Sequence, residues 1–502
     1  MGAVALSYAD HPGDLDNQQR ADLDLPGLLM TLADTLLLIG VAGLLGLIAR
    51  PDRRLYFLLG LSALAVFAFQ PALPIRGLDF WLPTATLSVA VIGWALTAPR
   101  ALRTWRNTWL AALILGTIVL ALALTRYINL PSLLTASLPP QIELVVVSLL
   151  VISLLVFLLV RFTAPGKTLL SLASLVIIGI FLVLKTPALA IWAAAVLRGL
   201  NGQSTRTATA QDLSWLGFSY IAFRLLHTLR DRQTGRMPPV TLAEYVVYML
   251  FFPALTAGPI DRIERFLTDL RRPLALTSED WSEAGKRVVV GLFKKFVLAD
   301  SLALIALNGT NALQVRTSGW TWVLLYAFAF QIYFDFSGYT DIAIGLGRLL
   351  GIRLPENFAA PYLKPNLTQF WNSWHMTLTQ WFRSYFFNPL TRALRSAKRR
   401  LPTPVTILFA QISTMVLIGL WHGVAANFVL WGLWHGAGLF VNNRWSEFTR
   451  PRLGNLPRTW TKALEVGSTL LTFNYVALGW VFFALPDPAT SWHVFLKLFG
   501  LA

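Results

Sequence analysis

Residues 401–443 read LPTPVTILFAQISTMVLIGLWHGVAANFVLWGLWHGAGLFVNN, and none of these 43 residues is Asp, Glu, Lys or Arg. As one continuous helix rising about 1.5 Å per residue, the stretch would extend about 65 Å, roughly twice the thickness of a membrane's hydrocarbon layer. The chain must therefore turn back once within it. The best turn lies near the middle, at Trp421–His422–Gly423, and Pro402 and Pro404 mark the entrance. The stretch predicts a membrane-embedded helical hairpin.

The composition of the 502 residues agrees with a membrane protein. Apolar residues make up 55% and charged residues 13%, the mean hydropathy is +0.58, and cysteine is absent. A soluble domain has about 45–50% apolar and about 25% charged residues. These values exclude a soluble enzyme, a secreted disulfide scaffold and a disordered chain. The net charge of +17 is ascribed to Lys and Arg in cytoplasmic loops, and no nucleic-acid partner is expected.

Further apolar stretches are distributed along the whole chain. A spanning helix needs roughly 20 mostly apolar residues. Stretches without Asp, Glu, Lys or Arg that meet or nearly meet this length lie at 55–75, 80–98, 107–125, 144–160, 168–184 and 466–485, and 27–49 joins them if Asp34 is tolerated. Spans interrupted by charge or proline are predicted at 186–197, 213–230, 242–260, 286–308 and 319–350. The predicted fold is an all-α, polytopic integral membrane protein with about 11–13 transmembrane or re-entrant helices, since only helices satisfy the backbone within such segments.

The distribution of charge predicts an orientation. Residues 1–25 contain five Asp residues and a single Arg and show no signal-peptide pattern, so they predict an extracytoplasmic, uncleaved tail. The basic loops at 50–54, 100–106 and 161–167 then fall on the cytoplasmic side. The expected location is the cell's inner (plasma) membrane, crossed many times.

The composition of the apolar segments changes at about residue 201. From there the apolar segments are broken by Gly, Pro, Asn and charges, which a membrane protein tolerates where helices line a cavity. We therefore expect four parts, which are the tail 1–25, peripheral transmembrane helices 26–200, a catalytic core 201–455, and a C-terminal transmembrane helix with its tail, 456–502.

Three of the six histidines are weak candidates for chemistry. His11 lies in the polar tail and His493 near the C-terminus, so both are expected to be solvated or interfacial. His227 is expected to be packed or interfacial.

His375 is harder to dismiss, although a lone histidine on the apolar face of a helix is more often a buried core residue than a catalytic one. It repeats with Trp371, Trp374 and Leu378 at spacings of three and four, so the imidazole is expected to be buried. Asn366 as an N-cap and Pro389 as a stop predict a helix of about 22 residues at the cytoplasmic surface.

His422 and His435 occupy identical pentapeptides, GLWHG at 419–423 and at 432–436. The Trp–His pairs could merely anchor helices at an interface. However, an ionisable group is costly in a run without charge, and this cost favours a functional use. The basic cluster 392–400 precedes the hairpin, so a cytoplasmic cluster places His422 toward the extracytoplasmic side and His435 at middle depth.

Several kinds of catalytic site are excluded by the residues. The chain has no cysteine, no Gly-rich phosphate loop, no HExxH, no GxSxG and no local spacing for a metal site, so no metal is expected. A neutral imidazole, with a pKa near 6.5, can act as a general base without a metal. It could take the proton from an alcohol that attacks an activated acyl group, and a thioester is the donor that demands least of such a site.

Five motifs in order resemble the membrane-bound O-acyltransferases, and in particular the bacterial branch with the alginate O-acetylation and teichoic-acid D-alanylation proteins. The motifs are AGPIDR at 257–262, FDFSGYTDIAIG at 334–345, PENF at 355–358, FWNSWHM at 370–376 and GLWHG at 419–423. The resemblance covers about 205–445. The text after the Trp-His-Met motif, WFRSYFFNPL at 381–390, departs from the alginate-type pattern, and GPIDR is more similar to the D-alanylation proteins.

The resemblance implies a fold and a reaction. It implies a ring of helices around a thin central region pierced by a tunnel, with His422 as the essential histidine and His375 as the second one. A donor thioester, acetyl-CoA or an acyl carrier protein, would enter from the cytoplasm, and no cofactor would stay bound. The acceptor would be a hydroxyl of an extracytoplasmic glycan, with a partner acyltransferase completing the transfer in some members. His435, Asn372 and Asn427 are secondary candidates for lining the tunnel.

Alternatives remain at this point. The acyl group could be D-alanyl from a carrier protein to a teichoic-acid-like polymer, or the acceptor could be a lipid or a protein. A glycan or lipid transporter would require charged residues in the hairpin, and 401–443 has none.

Overall fold

The computed structural model describes residues 31–48, 53–128, 134–162, 165–397, 401–453 and 457–501. These residues form helices and contain no strand, so the all-α prediction is confirmed. The acidic tail predicted at 1–25 lies outside the described residues, and so do Lys398, Arg399 and Arg400 of the basic cluster.

The helices are numbered in chain order. The first eight are α1 (Leu32–Ile48), α2 (Arg54–Ala68), α3 (Leu78–Thr97), α4 (Trp105–Leu124), α5 (Ile142–Phe162), α6 (Lys167–Lys185), α7 (Pro187–Leu200) and α8 (Phe218–Gln233). The next six are α9 (Leu242–Leu250), α10 (Ile263–Leu270), α11 (Ser278–Leu292), α12 (Asp300–Ala303), α13 (Gly309–Gln314) and α14 (Ser318–Leu349). The last seven are α15 (Leu367–Trp371), α16 (Met376–Phe382), α17 (Asn388–Ser396), α18 (Thr403–His422), α19 (Ala426–Leu453), α20 (Arg458–Ala484) and α21 (Pro488–Leu498). Two π-helical segments, Phe293–Ala299 and Arg383–Phe387, continue α11 and α16.

Within the described residues, six helical segments are long and apolar enough to cross a membrane. They are Leu78–Thr97, Trp105–Tyr127, Ile142–Phe162, Lys167–Lys185, Thr403–His422 and Trp460–Ala484. Shorter apolar helices accompany them at Leu32–Leu47, Arg54–Ala68, Pro187–Leu200 and Leu242–Ala254. The chain is therefore a multi-pass membrane protein, as predicted. The higher predicted total also included interrupted and re-entrant helices.

The N-terminal helices differ in how much of their surface is buried. Helix α5 buries only Val145 and α6 only Leu170 and Ile177, so both present apolar side chains outward, as a hydrocarbon-facing surface requires. Helix α3 is instead largely buried. A Cβ atom at Gly93 would lie 2.8 Å from a methyl group of Leu225. The part predicted as a peripheral layer thus contains helices that pack against the core, and α2 is another of them, because its Arg54 donates to the carbonyl of Leu350 at 2.6 Å.

Arg224 donates hydrogen bonds to backbone carbonyls that have no helical partner where α9 ends. Helix α9 ends at Leu250, and a single 3-10 turn follows it. The buried guanidinium of Arg224 donates to the carbonyl oxygens of Met249 at 2.7 Å and Ala254 at 2.8 Å. Carbonyls at a helix end lack partners in their own helix, and leaving them unpaired inside a membrane protein is costly. One arginine therefore makes the interruption of the segment after α9 tolerable.

Helices α11 and α14 touch at glycines. A Cβ atom at Gly338 would lie 2.8 Å from the carbonyl oxygen of Gly291. A larger residue at this position would therefore force the two backbones apart. The π-helical segment after α11 then brings Lys295 Nζ to 2.6 Å from Asp335 Oδ1 on α14. Both side chains of this ion pair are buried. The pair fixes the middle of α14 against the core.

The hairpin predicted from residues 401–443 is present. Helix α18 begins directly after Pro402 and ends at His422, and α19 begins at Ala426, so the turn lies where it was predicted. The N–H of Val424 donates to the carbonyl of Lys185 at 3.1 Å, which places this turn at the C-terminal end of α6. A Cβ atom at Gly432 would lie 2.5 Å from the backbone of α18. The glycines of the repeated pentapeptide thus let the two helices pack closely.

The single helix predicted between Asn366 and Pro389 is wrong. Asn366 does cap a helix, since its side chain accepts from the N–H three residues on at 2.9 Å. However, α15 ends before residues 372–375 and α16 begins only after them. His375 has a φ of 41°, in the left-handed region that few non-glycine residues adopt. Pro389 lies in the first turn of α17 and stops no helix.

Asn357 holds the break in place. Its carbonyl accepts from the N–H of Met376 at 2.9 Å, and its Oδ1 accepts from the N–H and the hydroxyl of Thr377 at 3.2 and 2.9 Å. These bonds replace those of an uninterrupted helix. The apolar spacing of three and four continues through the break, so the sequence pattern gave no sign of it.

Candidate active site

A narrow cavity of about 30 Å³ lies among α8, α14, α15, α16, α18, α19 and α20 and the break before α16. Its volume suits one or two water molecules. Aromatic side chains form most of its wall, and the polar residues in it are two histidines, a tyrosine and an aspartate. The lining residues are Tyr220, Ile332, Asp335, Phe336, Trp371, Trp374, His375, Leu378, Ile418, Trp421, His422, Trp431, Trp480 and Phe483. We call this space the histidine cavity.

His375 is fixed by a specific hydrogen bond. Its side chain is 2% exposed, and its Nδ1 lies 3.1 Å from Asn357 Oδ1. That oxygen also accepts from the backbone N–H of Thr377, so the atom is the amide oxygen and Nδ1 must donate to it. The other ring nitrogen, Nε2, is then unprotonated in the neutral ring, and it has no partner among the described residues.

His422 is the last residue of α18 and is held by aromatic packing. Its ring centroid lies 4.5 Å from that of Trp421 and 4.8 Å from that of Phe483. Its Nδ1 is buried without a hydrogen-bond partner in the described part of the chain. The ring of Trp421 also lies 6.2 Å from that of His375, so one indole contacts both histidines.

The structure corrects the predicted depth of His375. The sequence placed His375 at the cytoplasmic surface and His422 on the far side of the hydrophobic layer. Instead, both line the histidine cavity. The reason is the break at residues 372–375, which turns His375 inward and seats its ring edge-on to Phe336 at 4.7 Å.

The structure does not bring the three secondary candidates to the wall of the histidine cavity. His435 is fully buried and packs against Trp371 and Trp431, at 5.2 and 4.9 Å. Asn372 is exposed, and its Oδ1 accepts from Arg383 at 2.8 Å. Asn427 is buried, and its Nδ2 donates to the carbonyl of Leu485 at 2.6 Å, which joins α19 to the end of α20.

A second, wider cavity of about 200 Å³ adjoins the first. Trp371 and Ile418 line both of them, so the two cavities are neighbours. The wider cavity is also lined by Thr368, Thr379, Phe382, Arg383, Phe387, Gln411, Thr414, Met415, Leu439 and Asn443. Gln411 and Asn443 lie on the half of the hairpin nearest the basic residues of α17. We call it the basic-side cavity, because cytoplasmic loops carry the excess of Lys and Arg.

The sequence contains clustered cations, at 262–272 and 294–295 among other places, that could attract the phosphates of a donor. In the structure several of them pair with carboxylates of the same chain. Lys295 pairs with Asp335, and Arg271 pairs with Glu244 at 2.7 Å. Such pairs stabilise local structure, so these cations are less available to a donor than the sequence suggested.

His227 is packed, as expected. It is buried, its Nε2 lies 3.2 Å from Tyr248 Oη, and its ring stacks on Tyr385 at 5.8 Å. Tyr385 Oη donates to Asp231 Oδ2 at 2.9 Å. Burial raises the pKa of the Asp231 carboxyl, and this hydrogen bond partly opposes the rise. His227 therefore belongs to a polar cluster apart from the histidine cavity.

The described residues contain no group of three His, Cys, Asp or Glu side chains that could hold a metal ion. The chemistry available to the cavity from this chain is that of two imidazoles, one tyrosine hydroxyl, one ion-paired carboxylate and several indoles.

Three functional candidates escaped the sequence reasoning. Asn357 orients His375, Asp335 lines the cavity, and Trp421 contacts both histidines. All three lie in motifs that the sequence analysis quoted. A signal existed for Asp335, because a carboxylate in an apolar helix is costly unless it is paired. The roles of Asn357 and Trp421 depend on contacts across the fold, and no local pattern reveals these.

Comparison with known proteins gives a family match. The model of the membrane-bound O-acyltransferase family, MBOAT, matches residues 142–463. This match begins at α5, earlier than the motifs that carried the resemblance, so it includes α5, α6 and α7.

Individual relatives act on different polymers by name. A teichoic acid D-alanyltransferase of Streptococcus thermophilus is 32% identical over 300 residues, which are 56% of this chain and 71% of the relative. A probable alginate O-acetylase of Pseudomonas aeruginosa is 34% identical over 286 residues, 57% of this chain and 51% of the relative. A peptidoglycan O-acetyltransferase of Helicobacter pylori is 33% identical over 315 residues, 58% of this chain and 56% of the relative. The chain thus spans only about half the length of the two acetylating relatives.

Proposed function

The chain belongs to the membrane-bound O-acyltransferase family, and from this premise we propose that it transfers a short acyl group, acetyl, from a cytoplasmic thioester to a hydroxyl of an extracytoplasmic cell-envelope polysaccharide. Family membership confirms the prediction of an O-acyltransferase and disfavours the transporter. The acyl group, the donor and the acceptor are part of the proposal.

One observation carries the proposal. His375 and His422, one from a helix break and one from a helix end, line a single enclosed cavity that adjoins a wider cavity on the basic side of the hairpin. A donor that fills the wider cavity from the basic side would therefore lie next to the cavity that both imidazoles line. The turn after His422 lies at the opposite end of the hairpin, where an extracytoplasmic acceptor would arrive.

In the proposed reaction His422 is the general base. Its neutral ring takes the proton of the acceptor hydroxyl while the oxygen attacks the thioester carbonyl carbon. The C–S bond then breaks, and the proton passes from His422 to the leaving sulfur. The small volume and aromatic wall of the cavity leave little room for water beside the substrates, which limits its competition with the hydroxyl as the attacking group.

His375 would position the donor. Because its Nδ1–H already donates to Asn357, the neutral ring offers only an acceptor, Nε2, to the cavity. Nε2 can therefore accept a hydrogen bond from the thioester substrate or from the substrate that carries the hydroxyl. It does not donate to the thioester carbonyl unless it becomes protonated.

The size of the histidine cavity favours a short acyl group. A volume of about 30 Å³ leaves no space for a long hydrocarbon chain beside the imidazoles. Lipid-like donors are therefore disfavoured. Acylation of a lipid or protein by a small acyl group is less favoured than acylation of a glycan, because the relatives' names refer to polymers of the cell envelope.

D-Alanyl transfer from a carrier protein is the second candidate. It is favoured by the Streptococcus thermophilus relative, of whose length the chain covers 71%. Against it, the carboxylate that lines the histidine cavity, Asp335, is paired with Lys295 and so is less able to accept the ammonium group of alanine. Both reactions would take place at the inner membrane, and in both a partner acyltransferase on the extracytoplasmic side could complete the transfer.

The test is a donor competition in proteoliposomes. Purified chain receives acetyl-CoA with a labelled acetyl group or carrier protein charged with labelled D-alanine, each with a cell-envelope polysaccharide as acceptor. We expect labelled O-ester on the polysaccharide from the acetyl donor. Consumption of the D-alanyl donor alone would assign the second candidate, and consumption of neither donor would contradict the proposal.

A further inference from the structure

Three tryptophans that line the histidine cavity have N–H groups that the protein leaves unpaired. The indole N–H groups of Trp371, Trp421 and Trp431 are buried and have no hydrogen-bond partner among the described residues. An indole N–H can only donate, and a buried donor without a partner costs about 1–3 kcal/mol. The wall therefore favours an occupant that presents acceptor oxygens, such as the carbonyl of an acyl group.

Among the three indoles, Trp421 is the one next to the reacting groups. It directly precedes His422, with ring centroids 4.5 Å apart, and it also lies 6.2 Å from His375. Trp371 instead packs against His435. Trp431 lies farther from His422, at 5.9 Å, and closer to His435, at 4.9 Å.

The position of the Trp421 ring is well determined by its neighbours. The side chain is 7% exposed, and its ring packs against Tyr220 at 6.0 Å and Phe223 at 5.4 Å, both on α8. A donor that is held in place before the reaction stabilises developing charge without reorganisation. The packing thus supplies the preorganisation that such a role requires.

Three other polar groups of the wall are already engaged. The single N–H of neutral His375 donates to Asn357. The indole of Trp480 donates to Tyr362 Oη at 3.1 Å, and Asp335 accepts from Lys295. The hydroxyl of Tyr220 is buried and has no partner within the described residues, so it is the competing donor.

We infer that Trp421 is a catalytic residue. Its indole N–H donates to the carbonyl oxygen of the acyl group while that oxygen becomes an oxyanion. This role rests on the proposed function. The acceptor hydroxyl oxygen forms a bond to the carbonyl carbon, its proton moves to His422, and the carbonyl π pair moves to the oxygen that Trp421 holds. When the C=O bond reforms, the C–S bond breaks, and the sulfur takes the proton from His422.

The experiment removes the indole N–H and keeps an aromatic side chain at the position. Trp421→Phe is compared with Trp480→Phe, a matched control at a cavity-lining indole whose N–H already has a partner. Loss of one oxyanion donor lowers kcat by about 10²–10³-fold. We expect that loss for Trp421→Phe, with little change in KM for the donor, and a much smaller loss for Trp480→Phe.

Two further variants keep the test decisive. Replacement of Trp421 by 3-benzothienylalanine, which has the shape of tryptophan but sulfur in place of N–H, should lose kcat to a similar extent without loss of thermal stability in detergent. Tyr220→Phe should retain most of the activity. If the benzothienyl variant turns over like wild type, or if Tyr220→Phe carries the main loss, the role of Trp421 is wrong.

The wild-type chain separates this outcome from failure of the proposed function. The assay uses whichever thioester, acetyl-CoA or D-alanyl carrier, the wild-type chain consumes. Wild-type turnover with an undiminished Trp421 variant overturns the indole's role alone. Absence of turnover with either thioester overturns the proposed function and this role with it.

Discussion

An imidazole acts as a base through one ring nitrogen, and the environment of the other nitrogen decides how the ring is held. At His375 that environment is a hydrogen bond from Nδ1 to Asn357. At His422 Nδ1 is buried with no partner in the described part of the chain, so its orientation depends on contacts with Trp421 and Phe483. The two histidines share a cavity but are held by different forces, and substitutions should affect them differently.

His422→Ala removes the proposed general base. A general base contributes about 10²–10⁴-fold to a rate, so we expect acyl transfer to fall by that factor while the protein still folds. The measurement is turnover of labelled thioester in proteoliposomes, with unfolding followed in detergent. His493→Ala, at an exposed histidine of α21, is the control and should keep wild-type turnover. Retention of wild-type transfer by His422→Ala would contradict the assignment.

Asn357→Leu removes the acceptor that fixes both His375 and the start of α16. Leaving the Nδ1–H and the Thr377 donors without a partner should lower the free energy of unfolding by about 1–3 kcal/mol. We also expect lower kcat, because His375 loses its fixed tautomer. Asn372→Ala is the control, since this side chain lies in the same segment of the fold but is exposed. Equal effects of the two substitutions on stability and turnover would show that Asn357 has no special role.

At the scale of elements, close contact between α11 and α14 sets the position of Asp335 in the cavity wall. Gly338→Ala places a methyl group 2.8 Å from the Gly291 carbonyl, and overpacking of this kind costs about 1–3 kcal/mol. Gly319→Ala on the same helix meets no atom within 4 Å and should change stability by less than about 0.5 kcal/mol. Unfolding of both variants in detergent micelles tests this difference. A Gly338→Ala variant as stable as Gly319→Ala would mean that the two helices can separate freely.

The elements that could be predicted from the sequence are those whose boundaries local chemistry decides. The absence of charge over 401–443 and the glycines at 419–423 were sufficient to predict the hairpin and its turn. The break at 372–375 was missed because Asn357, which satisfies it, is distant in the sequence, and because the left-handed backbone of His375 leaves no mark on residue spacing. The same limit applies to the site. The cost of burying an imidazole favoured both His422 and His435, of which only His422 lines the histidine cavity. His375 was indicated by the resemblance to the family, and Asn372 and Asn427 bind other parts of the protein.

In the molecule as a whole, the wider basic-side cavity lies beside the narrow histidine cavity, which both histidines line. The two cavities share Trp371 and Ile418, so these side chains are the boundary between them. In this arrangement donor and acceptor would approach the imidazoles from opposite ends of the hairpin. The acyl group alone, and neither the whole donor nor the whole acceptor, would need to pass the boundary.

The absence of cysteine from the chain makes this arrangement directly testable. Thr414 lines the basic-side cavity, so a single cysteine in Thr414→Cys should react with a membrane-impermeant methanethiosulfonate only from the cytoplasmic side of sealed vesicles, and the bulky adduct should abolish turnover. Ser396→Cys, on exposed α17, should be labelled from the same side without loss of turnover, and Ala489→Cys, exposed on α21, should be labelled from the other side. An adduct at this position must block a thioester that passes through about 200 Å³ of space. Labelling of Thr414→Cys from the extracytoplasmic side, or full activity after its modification, would therefore mean that the donor does not enter through the basic-side cavity.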